Sequence, residues 1–398
     1  MDGVWEQVSA EVDRRAHVLL DVSHRLHARP ELGFQERFAH ELLTGILERE
    51  GFAVERHAHG METGFVARAG TSGPVIAVMC EYDALPEIGH ACGHNLIAAM
   101  GLGAGLAAKT VSDRLGGRVV VFGTPAEEGG GGKVFLIEAG GLDGVDAAMM
   151  LHGASADVTH MDVVAIERMS VEYSGATAHA AAAPHKGRNA LDAAVLGYVN
   201  VAALRQHIGA HERVHGVFTH GGTRPNIVPD RAAAEWYVRS PQAGGLRALA
   251  ERVRACLEAG AHAAQCSMTS SPIGPAYADM IHNGVLGELY RANAARTGRD
   301  VRPPGDDGAI VGSTDMGNVS YVVPSIHPMI KVSPSGVSLH TPEFAEYARS
   351  EAGDTAVLDG AKALAMTVAD LWARPELLEK AKAEFEAAVA ARQHRPDV

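Results

Sequence analysis

At 398 residues with 46% hydrophobic content, the chain exceeds what one core usually serves, so two domains are expected. Lys and Arg number 35 against 48 Asp and Glu, a formal net charge of -13 that argues against nucleic acid or an anionic membrane as the main partner and favours a small-molecule substrate. The opening Met1-Asp2-Gly3-Val4-Trp5-Glu6 has no basic region leading into an apolar run, and no stretch reaches the ~18 apolar residues of a membrane span, so no membrane partner and a cytoplasmic location are expected.

Residues 7–51 carry apolar positions such as Val12, Ala16, Leu19 and Leu20 at helical spacing, interrupted by His27-Ala28-Arg29-Pro30-Glu31-Leu32-Gly33 before a second helix through Phe38, Leu42 and Ile46. Val75-Ile76-Ala77-Val78-Met79-Cys80 and Arg118-Val119-Val120-Val121-Phe122-Gly123 are short, nearly all apolar and flanked by glycine, as expected of strands buried on both faces. A small-residue helix over 95–109 lies between them, and Ala147-Ala148-Met149-Met150-Leu151 reads as another buried strand. The order describes an α/β domain with a mixed, largely parallel sheet flanked by helices. From Met169 the texture changes to half-exposed strands (169–175, 217–220, 232–239) with helices over 189–205 and 245–264, an inserted α+β unit of β-α-β-β-α type. Residues 1–167 and 275–398 are therefore assigned to one domain and 168–274 to the insertion. After Pro275 come a helix (281–297), a strand at Tyr321-Val322-Val323 and a long alanine-rich C-terminal helix.

The chemistry gathers at strand ends, where open α/β sheets place their ligand sites. His90-Ala91-Cys92-Gly93-His94-Asn95 sets Cys92 and His94 one residue apart, a thiolate and imidazole pairing that suits zinc and its neighbours. The plain alternative is a buried cysteine beside a surface histidine. Gly123-Thr124-Pro125-Ala126-Glu127-Glu128, followed by four glycines, puts two adjacent carboxylates at a strand exit. On an extended backbone they would point to opposite sides, one to a metal and one to a water; a solvated acidic turn is the alternative. His152 and His340 each end an apolar run. Cys92, His94, Glu128, His152 and His340 together make five ligands, enough for two metal ions if one of them bridges. A metal lowers the pKa of water, and a nearby carboxylate takes the proton and hands it to a leaving amine.

At this point the chain resembles the aminoacylase-type dinuclear metallopeptidase family, in the branch of hippurate hydrolases, auxin-conjugate amidohydrolases and p-aminobenzoyl-glutamate hydrolases. The matching stretches are His24 to Gly33, Asp83-Ala84-Leu85-Pro86, His90 to Asn95, Glu127 to Gly132, His152-Gly153, Gly175 to Pro184, Gly221 to Pro229 and Ser338 to Phe344, nearly end to end. The resemblance implies that Cys92 bridges two metals, that His94, Glu128, His152 and His340 complete the ligand set, that Glu127 is the general base, and that Asp83 orients a ligand. It implies that His179, in Gly175-Ala176-Thr177-Ala178-His179-Ala180, stabilises an oxyanion, that Asn226 binds substrate near the scissile bond, and that Arg239 contacts a carboxylate. It implies, too, that the insertion is a lid and dimerisation domain, giving a homodimer or higher homo-oligomer. His90 is left as a supporting residue.

Two departures from the branch pattern stand out. Glu81-Tyr82-Asp83 replaces Asp-x-Asp, and His94-Asn95 replaces His-Asp. With Ser313-Thr314-Asp315-Met316-Gly317-Asn318-Val319-Ser320 they resemble the p-aminobenzoyl-glutamate hydrolase and dipeptidase-like subgroup. His211-Glu212-Arg213-Val214-His215 matches the zincin signature, which requires a helix; Gly209, Gly216 and the strand-like Val217-Phe218-Thr219 argue against one. The expected function is hydrolysis of an amide C–N bond in a small N-acyl amino acid, aminobenzoyl-glutamate-like or dipeptide-like substrate, with two divalent metal ions per subunit. Zinc or manganese is expected, and cobalt and nickel suit the same donors. The rival readings are hydrolytic removal of an aromatic amine at the same site, and a catalytically silent binding or assembly homologue.

Overall fold

In the computed structural model of the protein, which describes residues 1–304 and 311–392, the amphipathic pattern at the start resolves into three helices. These are α1 (Asp2–Arg14), α2 (Ala16–Ala28) and α3 (Arg37–Arg49). Pro30 disfavours helical backbone before it, and the Glu31 carboxylate accepts the Phe38 and Ala39 N–H groups at 3.0 Å each, so the interruption ends one helix and caps the next. Then follow β1 (Ala53–Arg56), β2 (Phe65–Ala69), β3 (Val75–Cys80), α4 (His94–Leu115), β4 (Arg118–Gly123), α5 (Gly132–Glu138), β5 (Ala147–Met149), β6 (His152–Ala154) and β7 (Asp162–Val163). The run at 147–151 is thus shorter as a strand than its composition suggests, because the chain leaves the sheet after Met149 and His152 opens a new pairing.

The second unit holds β8 (Ala165–Ser174), α6 (Ala190–Leu204), β9 (Arg213–His220), β10 (Arg231–Ser240), α7 (Ala243–Ala263) and β11 (Ser267–Pro272). The chain returns with α8 (Gly284–Arg296), β12 (Val311–Gly312), α9 (Met316–Ser320), β13 (Ser325–Ile326), β14 (Met329–Lys331), α10 (Pro342–Tyr347), α11 (Glu351–Ala373) and α12 (Pro375–Ala391). Met1–Asp162 and Met280–Arg392 form one compact unit and Val163–Asp279 the other; residues 305–310 and 393–398 of the expected larger domain lie outside the described residues.

In the larger unit the strand order is β1-β2-β4-β3-β5-β13. β3 runs parallel to β4 and β5, and β5 parallel to β13, while β1 and β2 are antiparallel. The α/β fold with a mixed, largely parallel sheet is therefore present. β3 is buried at every position, because α4 covers it and α11 packs along α4 in turn. In the smaller unit the order β11-β8-β10-β9 is antiparallel throughout, and α6 and α7 pack against each other and on the sheet.

Three expectations need correction. Tyr321-Val322-Val323 is not a strand: Val322 and Val323 donate their N–H groups to Val319 O at 2.9 and 3.1 Å, extending the last turn of α9, and Pro324 leads into the short β13. An apolar triplet suits a buried helix end as well as a strand. The C-terminal helix is two helices, divided at Arg374 by Pro375. The insertion has a fourth strand, β11, whose polar, exposed positions and terminal proline fit a sheet edge and give no alternating signal. The zincin match is excluded by the fold, since His215 lies within β9. No helix among the described residues is long and apolar enough to cross a membrane.

Candidate metal centre

Because β3 and β4 are parallel and Cys80 pairs with Gly123, the segments leaving them emerge side by side. One carries Glu81 and Asp83, the other Glu127 and Glu128. The second is a turn rather than extended backbone, with Ala126 in the left-handed region at φ 58°, so Glu127 and Glu128 do not face opposite ways. Both carboxylates approach His94, with oxygens 3.9 Å from its Nε2. His94 is the first residue of α4, after Gly93 at φ 78°, and this turn brings Cys92 back over the sheet edge. His152 opens β6, where β14 pairs with it, and donates Nδ1–H to Gly153 O at 2.7 Å, leaving Nε2 3.4 Å from the Cys92 sulfur. His340 reaches the same sulfur with its Nε2 at 3.3 Å, while its own N–H is held by Ala91 O at 2.9 Å.

Two donor groups share Cys92: Cys92, His94 and His152, and Cys92, Glu128 and His340, each with ligand atoms within 4.8 Å of one another. Sulfur, imidazole and carboxylate suit zinc, manganese and related ions. The residues fit such ions on a further ground: His94 Nε2 and Glu128 Oε1 are buried with no hydrogen-bond partner, a costly state for polar atoms in an interior unless something coordinates them. Asp83 braces the arrangement, accepting Nδ1–H of His94 and the Glu128 N–H at 2.9 Å each. Burial opposes its charge, but His94 and the Glu128 N–H hold its carboxyl below the usual range. Burial, then His94, lowers His152 to about 4, so its imidazole is neutral and able to ligate. Burial, then the carboxylates of Glu81, Glu128 and Asp315, pushes Glu127 well above the usual range.

Of the other residues singled out in the sequence, His90 is buried beside His27, with ring centroids 6.1 Å apart, and is absent from both donor groups. His179, Asn226 and Arg239 lie in the smaller unit. Ala180 N–H bonds Asn226 O at 3.1 Å and Val228 N–H bonds Ala178 O at 3.0 Å, so the His179 and Asn226 loops are stitched together. His179 Nδ1 accepts the Ala181 and Ala182 N–H groups at 3.3 and 3.1 Å, which places its own proton on Nε2. Arg239 sits on β10 opposite Ile166 of β8. Sequence reasoning passed over Lys133, buried at 0% exposure and bonded to Glu81 and Asp315. Its only sequence signal was a lysine directly after four glycines. It also passed over His327, buried with neither ring nitrogen bonded and 5.6 Å from the His152 ring.

A mixed sheet with a cysteine sulfur, imidazoles and carboxylates converging on its carboxyl edge defines a metallopeptidase-type hydrolase. The model of peptidase family M20/M25/M40 matches residues 77–370, and the chain belongs to that family. It is 38% identical to the Xaa-Arg dipeptidase of Mus musculus, covering 95% of this chain and 91% of the relative. Its identity to a p-aminobenzoyl-glutamate hydrolase of Escherichia coli is 28%, covering 94% of this chain and 93% of that relative. Among solved structures it shares the fold of a dinuclear metal binding peptidase of the M20 family from Bacillus subtilis, with a TM-score of 0.66 and 22% identity over 90% of this chain and 99% of that one. The protein is thus a hydrolase acting on C–N bonds, an amidohydrolase with potential metal-ligand groups.

Proposed function

We propose that the protein is a dinuclear metal-dependent dipeptidase-like amidohydrolase in which Glu127 is the general base. The observation that carries this reading is the pair of donor groups sharing Cys92, with Glu127 beside them. Cys92, His94 and His152 would hold one ion and Cys92, Glu128 and His340 the other. Zinc or manganese bound there would lower the pKa of water and polarise the scissile carbonyl. Glu127 takes the proton from the attacking water and delivers it to the leaving amine. Its buried position supports this, because a carboxylate whose pKa is raised by burial accepts a proton more readily. His179 has the Nε2–H needed to donate to a developing oxyanion, Asn226 is assigned to the substrate near the scissile bond, and Arg239 to a substrate carboxylate.

For substrate we favour a dipeptide with a basic C-terminal residue, following the mouse relative's name and the net charge of -13, which attracts cations. Aminobenzoyl-glutamate and N-acyl amino acids are the comparison set. We assign a cytoplasmic location, where the unpaired Cys80, Cys92, Cys256 and Cys266 stay reduced. Residues 168–274 are assigned the lid and dimerisation role.

The test is a panel of Xaa-Arg and Xaa-Lys dipeptides, p-aminobenzoyl-glutamate and N-acyl amino acids, with metal content measured on the same samples. Glu127→Gln should lower kcat by about 10²- to 10⁴-fold, the range general-base catalysis supplies, with metal content unchanged. A chelator should abolish activity and manganese or zinc restore it. A Glu127→Gln protein as active as wild type would overturn the mechanism.

A further inference from the structure

Beneath the metal centre lies a second cluster of charge that the mechanism above does not use. Lys133, Glu81 and Asp315 are all 0% exposed. The Lys133 ammonium bonds Glu81 Oε1 and, at 2.6 Å, Asp315 Oδ1, while the Lys133 backbone N–H donates to Asp315 Oδ2 at 2.9 Å. Position 133 is brought there by Gly132, where a Cβ would fall 2.0 Å from Pro125 O; only a glycine lets α5 start so close to the turn bearing Glu127. Glu81 lies in Glu81-Tyr82-Asp83, one of the two places where this chain departs from its branch, and Asp315 lies in the Ser313 to Ser320 stretch that marks the subgroup.

Three buried charges are a poor device for stability, since apolar replacement of a buried ion triad is often neutral or stabilising. Their placement points elsewhere. Oxygens of Glu81, Glu127 and Asp315 lie within 4.8 Å of one another, so three carboxylates converge and the ammonium bonds two of them. The second oxygen of Glu81 has no hydrogen-bond partner and stands 3.4 Å from His94 Nε2. With the ammonium removed, two uncompensated carboxylates would face Glu127 across a low-dielectric interior, where like charges repel strongly.

We propose that Lys133 is a positioning residue for catalysis: its buried ammonium, gripping Glu81 and Asp315, is a built-in cation that offsets the acidic wall beside Glu127 and holds that carboxylate where a general base must stand. The proposal rests on the reading of Glu127 given above. It predicts a defect of charge rather than of packing, because Lys133 touches the wall and not the ligands that share Cys92.

The test compares Lys133→Met with the double variant Lys133→Met/Asp315→Asn, which restores the net charge of the wall. Metal content, melting temperature, kcat and KM are measured for each in the full chain. For Lys133→Met the expected result is unchanged metal content, KM within about threefold of wild type and kcat lower by about 100-fold, a general-base-sized loss. The double variant should regain about tenfold of that kcat, a coupling between neighbours that a packing defect would not show. A Lys133→Met protein with kcat within about threefold of wild type would overturn the proposal. So would a double variant no better folded and no more active than the single one. If wild type is active and Glu127→Gln is not, yet Lys133→Met keeps full activity, this inference alone fails and the assignment of Glu127 stands.

Discussion

Ala126 holds a left-handed backbone at φ 58°, a conformation that costs an L-residue on the order of 1 kcal/mol, and it does so one residue before Glu127. The residue that secures it is Glu36, fully buried, whose carboxyl accepts the Ala126 N–H at 2.9 Å and the Thr63 hydroxyl at 2.7 Å. Burial, then the nearby Asp83 charge, raises Glu36 from 4.5 to about 7. The folded state therefore holds this proton more tightly than the unfolded chain. The resulting stabilisation is complete below about pH 4.5 and lost as pH rises through about 7, amounting to about 3 kcal/mol on the linkage relation. Melting temperatures of wild type and Glu36→Gln should thus differ most in favour of wild type near pH 4, the gap closing by pH 8; parallel curves would refute the assignment. At this scale the donor types were legible: Cys92, His94, Glu128, His152 and His340 each follow an apolar run or sit in a glycine-rich turn. Glu36 and Lys133 were not, because a buried carboxyl and a buried ammonium look in sequence like ordinary surface charge.

The element that matters most is α4, which carries His94 at its first residue and lies between the sheet and α11. It approaches β3 through Gly101, where a Cβ would meet Cys80 Sγ at 2.6 Å and Met79 O at 2.8 Å. The backbone contact cannot give way as a side chain could, so Gly101→Val should destabilise by about 2–3 kcal/mol through overpacking. Chemical denaturation would show this, and metal content should fall with it, since His94 moves with its helix. An unchanged denaturation midpoint would mean that α4 can shift without cost. β3, β4 and α4 were readable because burial on both faces leaves an almost unbroken apolar run and a small-residue helix. β11 and the turn at 321–323 were not. An exposed edge strand carries no apolar signal, and three apolar residues are too few to separate a strand from a helix end.

For the whole molecule, the smaller unit presents an apolar surface of Val195, Leu196 and Val199 on α6 and Val217 and Phe218 on β9, with Val199 56% and Val217 61% exposed. β9 is also an edge of its sheet, and an unpaired edge beside exposed apolar side chains is a template for association. Taken with the proposed homodimer, this face is the expected contact. Val199→Glu with Val217→Glu should shift wild-type dimers to monomers in light scattering without lowering the melting point of the monomer. A double variant that stays dimeric would move the interface elsewhere.

The chain alone carried the ligand-type residues at the strand exits and the periodicity of the buried strands, because both are local properties of the sequence. It also carried the order of motifs that marks the family. That Glu127 and Glu128 share a turn rather than opposing faces, and that residues 81, 133 and 315 meet in one buried triad, emerges from folding. Such contacts depend on how β3, α5 and α9 converge, and no local pattern of residues records that convergence.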